Sequence, residues 1–330
     1  MTVEATEHHA SGANRNGVPA NNHSRVPRNR LTTEEHLKLS RRYKVKRAFR
    51  GYAFIAPNFI FFFIFKIFPI IWVFWFSLRS GGIIGSTEYV GISNWTAAFQ
   101  DPLALKALRN SLLYALIAIP AMLIIGLGIA SFLRNIIKGG SVLRAGIYLP
   151  TLAPIVVAGL IWVFMVHPDF GALNMIIRSI TGEPVVFLGN STLALPTIAA
   201  VEVWRGIGFW SVFFLAALMG LPSELYEAAH LDGSNTFQRF YYITLPLLRP
   251  TILFGLVLAT IYNLQIFDTV FVMTDGGPAF STATIVWYIY KTLFTYGNVG
   301  YGATLSIVLL IIILILTLIM MRLLRGRKLS

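Results

Sequence analysis

Cysteine is absent from this 330-residue chain, which excludes disulfides, thiolate metal sites and cysteine nucleophiles. Charge is scarce: Asp, Glu, Lys and Arg make up 12% of residues, about half of the roughly 25% usual in soluble domains. The acids are the scarcer sign, 14 against 27 basic residues. No G-x-x-x-x-G-K-[ST] stretch occurs, so the chain has no P-loop to cradle nucleotide phosphates. H-E-x-x-H is missing too, and the serine of "GNST" at 189–192 has no activating histidine motif, which leaves an intramembrane enzyme without machinery. Period-two alternation is lacking from the apolar runs, so a β-barrel is excluded as a reading.

What fills the sequence is apolar: 56% of residues are hydrophobic and the mean hydropathy is +0.68. Six stretches can cross a hydrocarbon core of about 30 Å, which takes roughly 20 helical residues. They are 54–76, 110–133, 145–166, 194–219, 250–272 and 303–323. The first begins after fifty residues and lacks a small-x-small exit, unlike a signal peptide. The expectation is an all-α polytopic membrane protein of six transmembrane helices. Position explains the +13 charge: with a cytoplasmic N-terminus, 20 Lys/Arg fall on inner segments and 5 on outer ones. This is the positive-inside rule, so both termini are expected in the cytoplasm, and nucleic acid is not the partner. Residues 1–50 read as a basic cytoplasmic tail, polar and disordered over 1–35, where His8-His9 lacks the fixed geometry of a zinc site.

Pro57 and Pro69 in the first span are expected to loosen its helix. Lys66 near its middle has two open readings, a cavity or partner, and snorkelling to an interface. Outside, Asn94 and Asp101-Pro102 offer helix starts. Pro150 and Pro154 stand in the opening turns of span three. The aromatics Trp287, Tyr288, Tyr290 and Phe294 of the last outer segment suit an interfacial helix or an aromatic belt.

Between spans four and five lies "LPSELYEAAHLDGSNTFQRFYYITLP", polar and helix-forming. Pro222 and Ser223 offer a helix start, Glu224 and Glu227 suit its positive end, and Gly233 can stop it in the left-handed region. Asn235 and Gln238 have capping-box spacing, and the second helix is expected to end before Leu245-Pro246. The result is an elbow whose Leu225, Ala228, Ala229 and Phe237 can fill a partner's groove. The plainer alternative is a loop resting on its own bundle.

The spacing Glu227-Ala228-Ala229, three residues, Gly233, nine residues, Ile243-x-Leu245-Pro246 resembles the EAA motif of ABC importer permeases. With "NSLLYAL", "YLPTLAPIVVAGLIW", "VEVWRGIGFW" and "IFDTVFVMTDGGP", the resemblance covers roughly residues 50–325 and points to the carbohydrate-uptake branch, similar to the maltose and glycerol-3-phosphate permeases. It implies a type I ABC importer permease fold over 51–325, followed by a short tail, 326–330, in the cytoplasmic membrane of a prokaryote. It also implies that the loop 222–246, with Leu225, Glu227, Ala228, Ala229, Asp232, Gly233 and Phe237, docks into an ATPase subunit. The implied partners are a second permease, two ATPase subunits that use ATP and Mg, and an extracytoplasmic solute-binding protein; the chain itself carries no cofactor.

Polar residues within spans mark a pathway or interhelical glue. Candidates for lining a sugar pathway are Glu202, Trp204 and Arg205 in span four, Tyr262, Asn263, Gln265 and Asp268 in span five, and Lys66. Glu202 with Arg205, and Gln265 with Asp268, are i,i+3 neighbours able to pair. Two membrane acids, Glu202 and Asp268, also keep an ion-driven secondary transporter as the alternative.

Overall fold

The computed structural model describes residues 33–82, 87–134, 136 and 139–325. The His8-His9 pair, the tail up to residue 32 and the segment 326–330 lie outside them. Contacts divide the chain into two units, residues 1–65 and 66–330. The first holds helix α1, Thr33–Phe62, so residues 33–35, read as disordered, are helical, as is the basic stretch on to Arg50. That stretch is rich in Glu, Leu, Lys and Arg, strong helix formers.

After a π-helical turn at Phe63–Ile67 come α2 (Phe68–Ser77), a hairpin of β1 (Arg79–Ser80) and β2 (Glu88–Tyr89), α3 (Ser93–Gln100) and α4 (Pro102–Arg134). Next are α5 (Gly140–Leu152), α6 (Ile155–Met165), α7 (Ala172–Thr181) and α8 (Ala194–Met219). The chain continues with α9 (Ser223–Leu231), α10 (Thr236–Arg239), α11 (Leu245–Leu264), α12 (Asp268–Met273), α13 (Ile285–Tyr290) and α14 (Val299–Arg325).

Among the described residues, five helices are long and apolar enough to span a bilayer, and α5 with α6 makes a sixth if the bent pair counts as one. The straight third span expected over 145–166 is therefore corrected to two helices at 92°. Pro154 is the cause: it forces Ala153 out of the α region, to φ −66° and ψ 134°. The fifth span is corrected too. It ends at Leu264 rather than 272, because Gln265 (φ −101°, ψ 17°) leaves helical geometry. The Ile266 carbonyl freed at that break accepts the Thr284 hydroxyl at 3.0 Å.

At its inner end the same span runs on where a stop before Leu245-Pro246 was expected. Leu245 keeps α geometry (φ −63°, ψ −43°), and the turn Phe240–Thr244 widens to a π-helix. Proline has no N–H for the carbonyl four residues back and its ring crowds that carbonyl; a π turn makes room for both. Pro69 is preceded by a π turn in the same way.

α4 and α8 form the centre of the bundle. The most apolar part of α8 is 56% buried, whereas α2 buries only Ser77. Tyr114, Ala118, Ile198 and Phe214 are fully buried in the core. α5 lies hard against α8: a Cβ on Gly208 would sit 2.6 Å from the Ile147 carbonyl oxygen. α11 and α14 close the bundle on α4 and α2.

Outside, Asn94 of α3 donates to the carbonyls of Ser77 (3.0 Å) and Arg79 (2.8 Å). Asp101 starts α4 as expected, accepting Leu103 N–H at 2.8 Å. Its other oxygen accepts both Tyr288 and Tyr301 hydroxyls at 2.6 Å. Burial opposes the Asp101 charge, but these hydrogen bonds prevail and hold its carboxyl below the usual range. Burial and the same carboxylate push the Tyr288 phenol well above its ordinary value. Trp287 and Tyr288 are buried in the protein, with Trp287 donating to Asp275 at 2.8 Å. This corrects both membrane-interface readings for those two rings; Phe294 remains exposed.

Candidate functional site

The loop between spans four and five is the elbow the sequence calls for. Pro222 is the N-cap of α9, with Glu224 in its first turn. Gly233, at φ +78°, takes the left-handed conformation that a Cβ disfavours, and Ser234 N–H reaches back to the Ala229 carbonyl at 3.0 Å. The predicted capping box is present: Asn235 Oδ1 accepts Gln238 N–H at 2.8 Å, and Gln238 Oε1 accepts Asn235 N–H at 2.9 Å. One side of the elbow is braced. The Tyr226 hydroxyl meets the Thr244 hydroxyl at 2.9 Å, and the Arg134 guanidinium lies 4.3 Å from the Tyr226 ring centre. On the rest, Leu225, Glu227, Ala228, Asp232, Gly233 and Phe237 are exposed, and Ala229 is half-buried. Phe237 is 74% exposed and Leu231 88%, a large apolar exposure for a segment beyond the spans.

A cavity of about 460 Å³ opens among α4, α5, α6, α8 and the end of α11. Six of the eight pathway candidates line it: Glu202, Arg205, Tyr262, Asn263, Gln265 and Asp268. Trp204 faces elsewhere, edge-to-face with Trp162 at 5.5 Å between ring centres. Lys66 is exposed and does not line the cavity either. The sequence reading missed Tyr114, Met122 and Thr151, which reach it from α4 and α5. Tyr114, in the quoted "NSLLYAL", is a polar ring within a span and carried the available signal.

Arg205 Nη2 donates to Glu202 Oε2 at 3.0 Å, so the i,i+3 pair forms as expected. Glu202 Oε1 also accepts the Thr269 hydroxyl, and Thr151 Oγ donates to the Arg205 carbonyl at 2.7 Å. Gln265 and Asp268, by contrast, are separated by the break after α11 and lose their helical spacing. Asn263 Nδ2 donates to the Ala259 carbonyl at 2.8 Å, which turns its amide oxygen to other uses. Two buried polar atoms at this cavity have no partner, the Tyr114 hydroxyl and Arg205 Nε. Tyr262, Gln265 and Asp268 are exposed on the rim.

A bundle of spanning helices with a polar cavity in its middle and a rigid, half-exposed elbow on its inner side defines a membrane transport subunit. Residues 118–328 match the family described as binding-protein-dependent transport system inner membrane component, and the chain belongs to that family. It is 32% identical over 240 residues to the sulfoquinovosyl glycerol transport system permease protein of Agrobacterium fabrum, covering 73% of this chain and 78% of that one. It is 31% identical over 291 residues to the trehalose/maltose transport system permease protein of Thermococcus litoralis, covering 88% and 98%. Among solved structures, the fold is similar to a bacterial ABC transporter involved in the import of the acidic polysaccharide alginate. The TM-score is 0.76 at 23% identity, over 87% of this chain and 98% of that chain. The protein is thus a multi-pass permease of the cytoplasmic membrane with the type I fold, a transport subunit rather than an enzyme, and the ion-driven alternative is set aside.

Proposed function

We propose that the chain is one half of an importer's translocation pathway, passing a sugar or sugar-like polyol through the 460 Å³ cavity. A solute-binding protein delivers the solute, a second permease completes the pathway, and two ATPase subunits hydrolyse ATP on the inner side. The elbow is the contact for one of these, with Glu227, Ala228, Ala229 and Asp232 on its surface and Gly233 setting its angle.

The observation that carries the solute class is the pair of buried, unpartnered donors at the cavity wall, Tyr114 Oη and Arg205 Nε. An unpaired buried polar group costs about 1–3 kcal/mol, and solute hydroxyls are able to accept from both. Tyr262 on the rim offers a ring for a sugar C–H face, and Gln265 a planar amide for its hydroxyls. Glu202 and Arg205 neutralise each other, which favours a solute without strong net charge. The relatives named for glycosides and disaccharides agree with that class.

The test is uptake of labelled glycosides into vesicles holding the whole complex, with ATP inside and ion gradients collapsed. Uptake should persist, and Asn263→Ala or Gln265→Ala should lower it about three- to tenfold, the scale of one hydrogen bond. Uptake that vanishes with the ion gradient, or is normal in both variants, would overturn the proposal.

A further inference from the structure

A second cavity, of about 440 Å³, lies on the inner side between the end of α4 and the elbow. Its walls carry two guanidinium groups, Arg134 and Arg239, and the hydroxyls of Tyr226, Thr236 and Thr244. Among the described residues, no acidic side chain lines it. Among the described residues the ion pairs are His167–Asp169, Glu202–Arg205 and Lys291–Asp275, so neither arginine has a carboxylate partner.

Arg134 has a local reason to be where it is, since it ends α4 and faces the negative end of that helix dipole. Arg239 has none. It sits in the first turn of the continuous helix Thr236–Leu264, at the positive end of the dipole where a cation is disfavoured, and among the described residues its side chain makes one long bond, 3.4 Å, to the Thr236 hydroxyl. Two fork-shaped donors facing one space, with hydroxyls between them, match an acceptor that offers several oxygens in different directions. A phosphate group has that form. A lone carboxylate presents its two oxygens in one plane and would leave one fork empty.

We infer that this cavity binds a phosphate-bearing anion, either the headgroup of an anionic lipid of the inner leaflet or a soluble cytoplasmic phosphate. The level of the site, at the inner ends of the spans, is where lipid phosphates concentrate. The occupant would bridge α4, through Arg134, to the first turns of the rod that begins at Thr236. It would thereby stiffen the brace that Tyr226 makes between elbow and bundle. The site is separate from the cavity proposed for the solute, and its occupancy is measurable without transport.

The test uses the nucleotide-free complex purified with all its subunits. One arm counts phosphatidylglycerol retained by native mass spectrometry after reconstitution in mixed phosphatidylcholine/phosphatidylglycerol vesicles. The other titrates inorganic phosphate calorimetrically in pure phosphatidylcholine. Arg134→Gln with Arg239→Gln should weaken the probe that binds by about tenfold or more, the worth of a charge-assisted hydrogen bond. The Lys pair, which keeps charge but loses the forks, guards against misfolding and should weaken it measurably. Arg249→Gln removes an exposed charge outside the cavity and should change nothing. Retention of phosphatidylglycerol alone identifies a lipid site, and a phosphate isotherm alone a soluble ligand. The inference is overturned if the parent binds neither probe, if the Gln pair binds as the parent does, or if Arg249→Gln weakens binding equally.

Discussion

A buried phenol without a partner is a standing cost, and Tyr114 sits fully buried with its hydroxyl at the cavity wall. Tyr114→Phe separates two roles. If the hydroxyl serves solute, uptake falls about threefold or more while complex yield holds or rises, because the orphan group is gone. If it is a packing residue only, uptake is unchanged. Asp101 is the opposite case, a carboxylate with every oxygen engaged. Its folded pKa lies below the unfolded value of about 3.9. The stability it adds is therefore complete above that value and lost as pH falls through the folded pKa. Asp101→Asn should lower the thermal midpoint of the detergent-solubilised protein at neutral pH and flatten the loss of stability below about pH 4. An unchanged midpoint and acid profile would mean the clasp contributes nothing.

At the scale of elements, the elbow depends on one backbone angle. Gly233→Val obstructs the φ +78° turn, and Glu227→Lys reverses a charge on the exposed face. Both lie outside the spans, so insertion should survive while ATPase co-purification or solute-stimulated hydrolysis drops severalfold. Normal stimulation in Glu227→Lys would remove the docking role. The elbow's parts were legible because caps and left-handed glycines are local chemistry: Asn235, Gln238 and Gly233 act through neighbours a few residues away. The breaks were not. Pro154 and Pro246 look alike in sequence, yet one bends the chain by 92° and the other is absorbed by a π turn. The difference lies in what surrounds each. The cavity was largely legible because charged and amide residues within spans announce themselves, whereas Met122 and Thr151 matter only because α4 and α5 bring them to α8.

For the whole molecule, the 20-to-5 distribution of basic residues requires both ends of the chain on the same, inner side. Fluorescent-protein fusions at either end should light up, and alkaline phosphatase fusions at those ends should be silent; activity at one end would refute an even number of crossings. The stretch Thr236–Leu264 gives the molecule a further property. Its 29 residues form one rod of roughly 43 Å at 1.5 Å per residue, with the capping box at its foot and Asn263 near its head. Such a rod transmits rotation as well as thrust, and the π turn at Phe240–Thr244 fixes its phase by holding one residue more than an α turn. Deleting a single residue beyond that turn, in the α-helical stretch before Asn263, would turn the head by about 100° against the foot. Asn263 would swing out of the cavity while the elbow kept its shape, and drive and cargo would fall out of step although each remained intact.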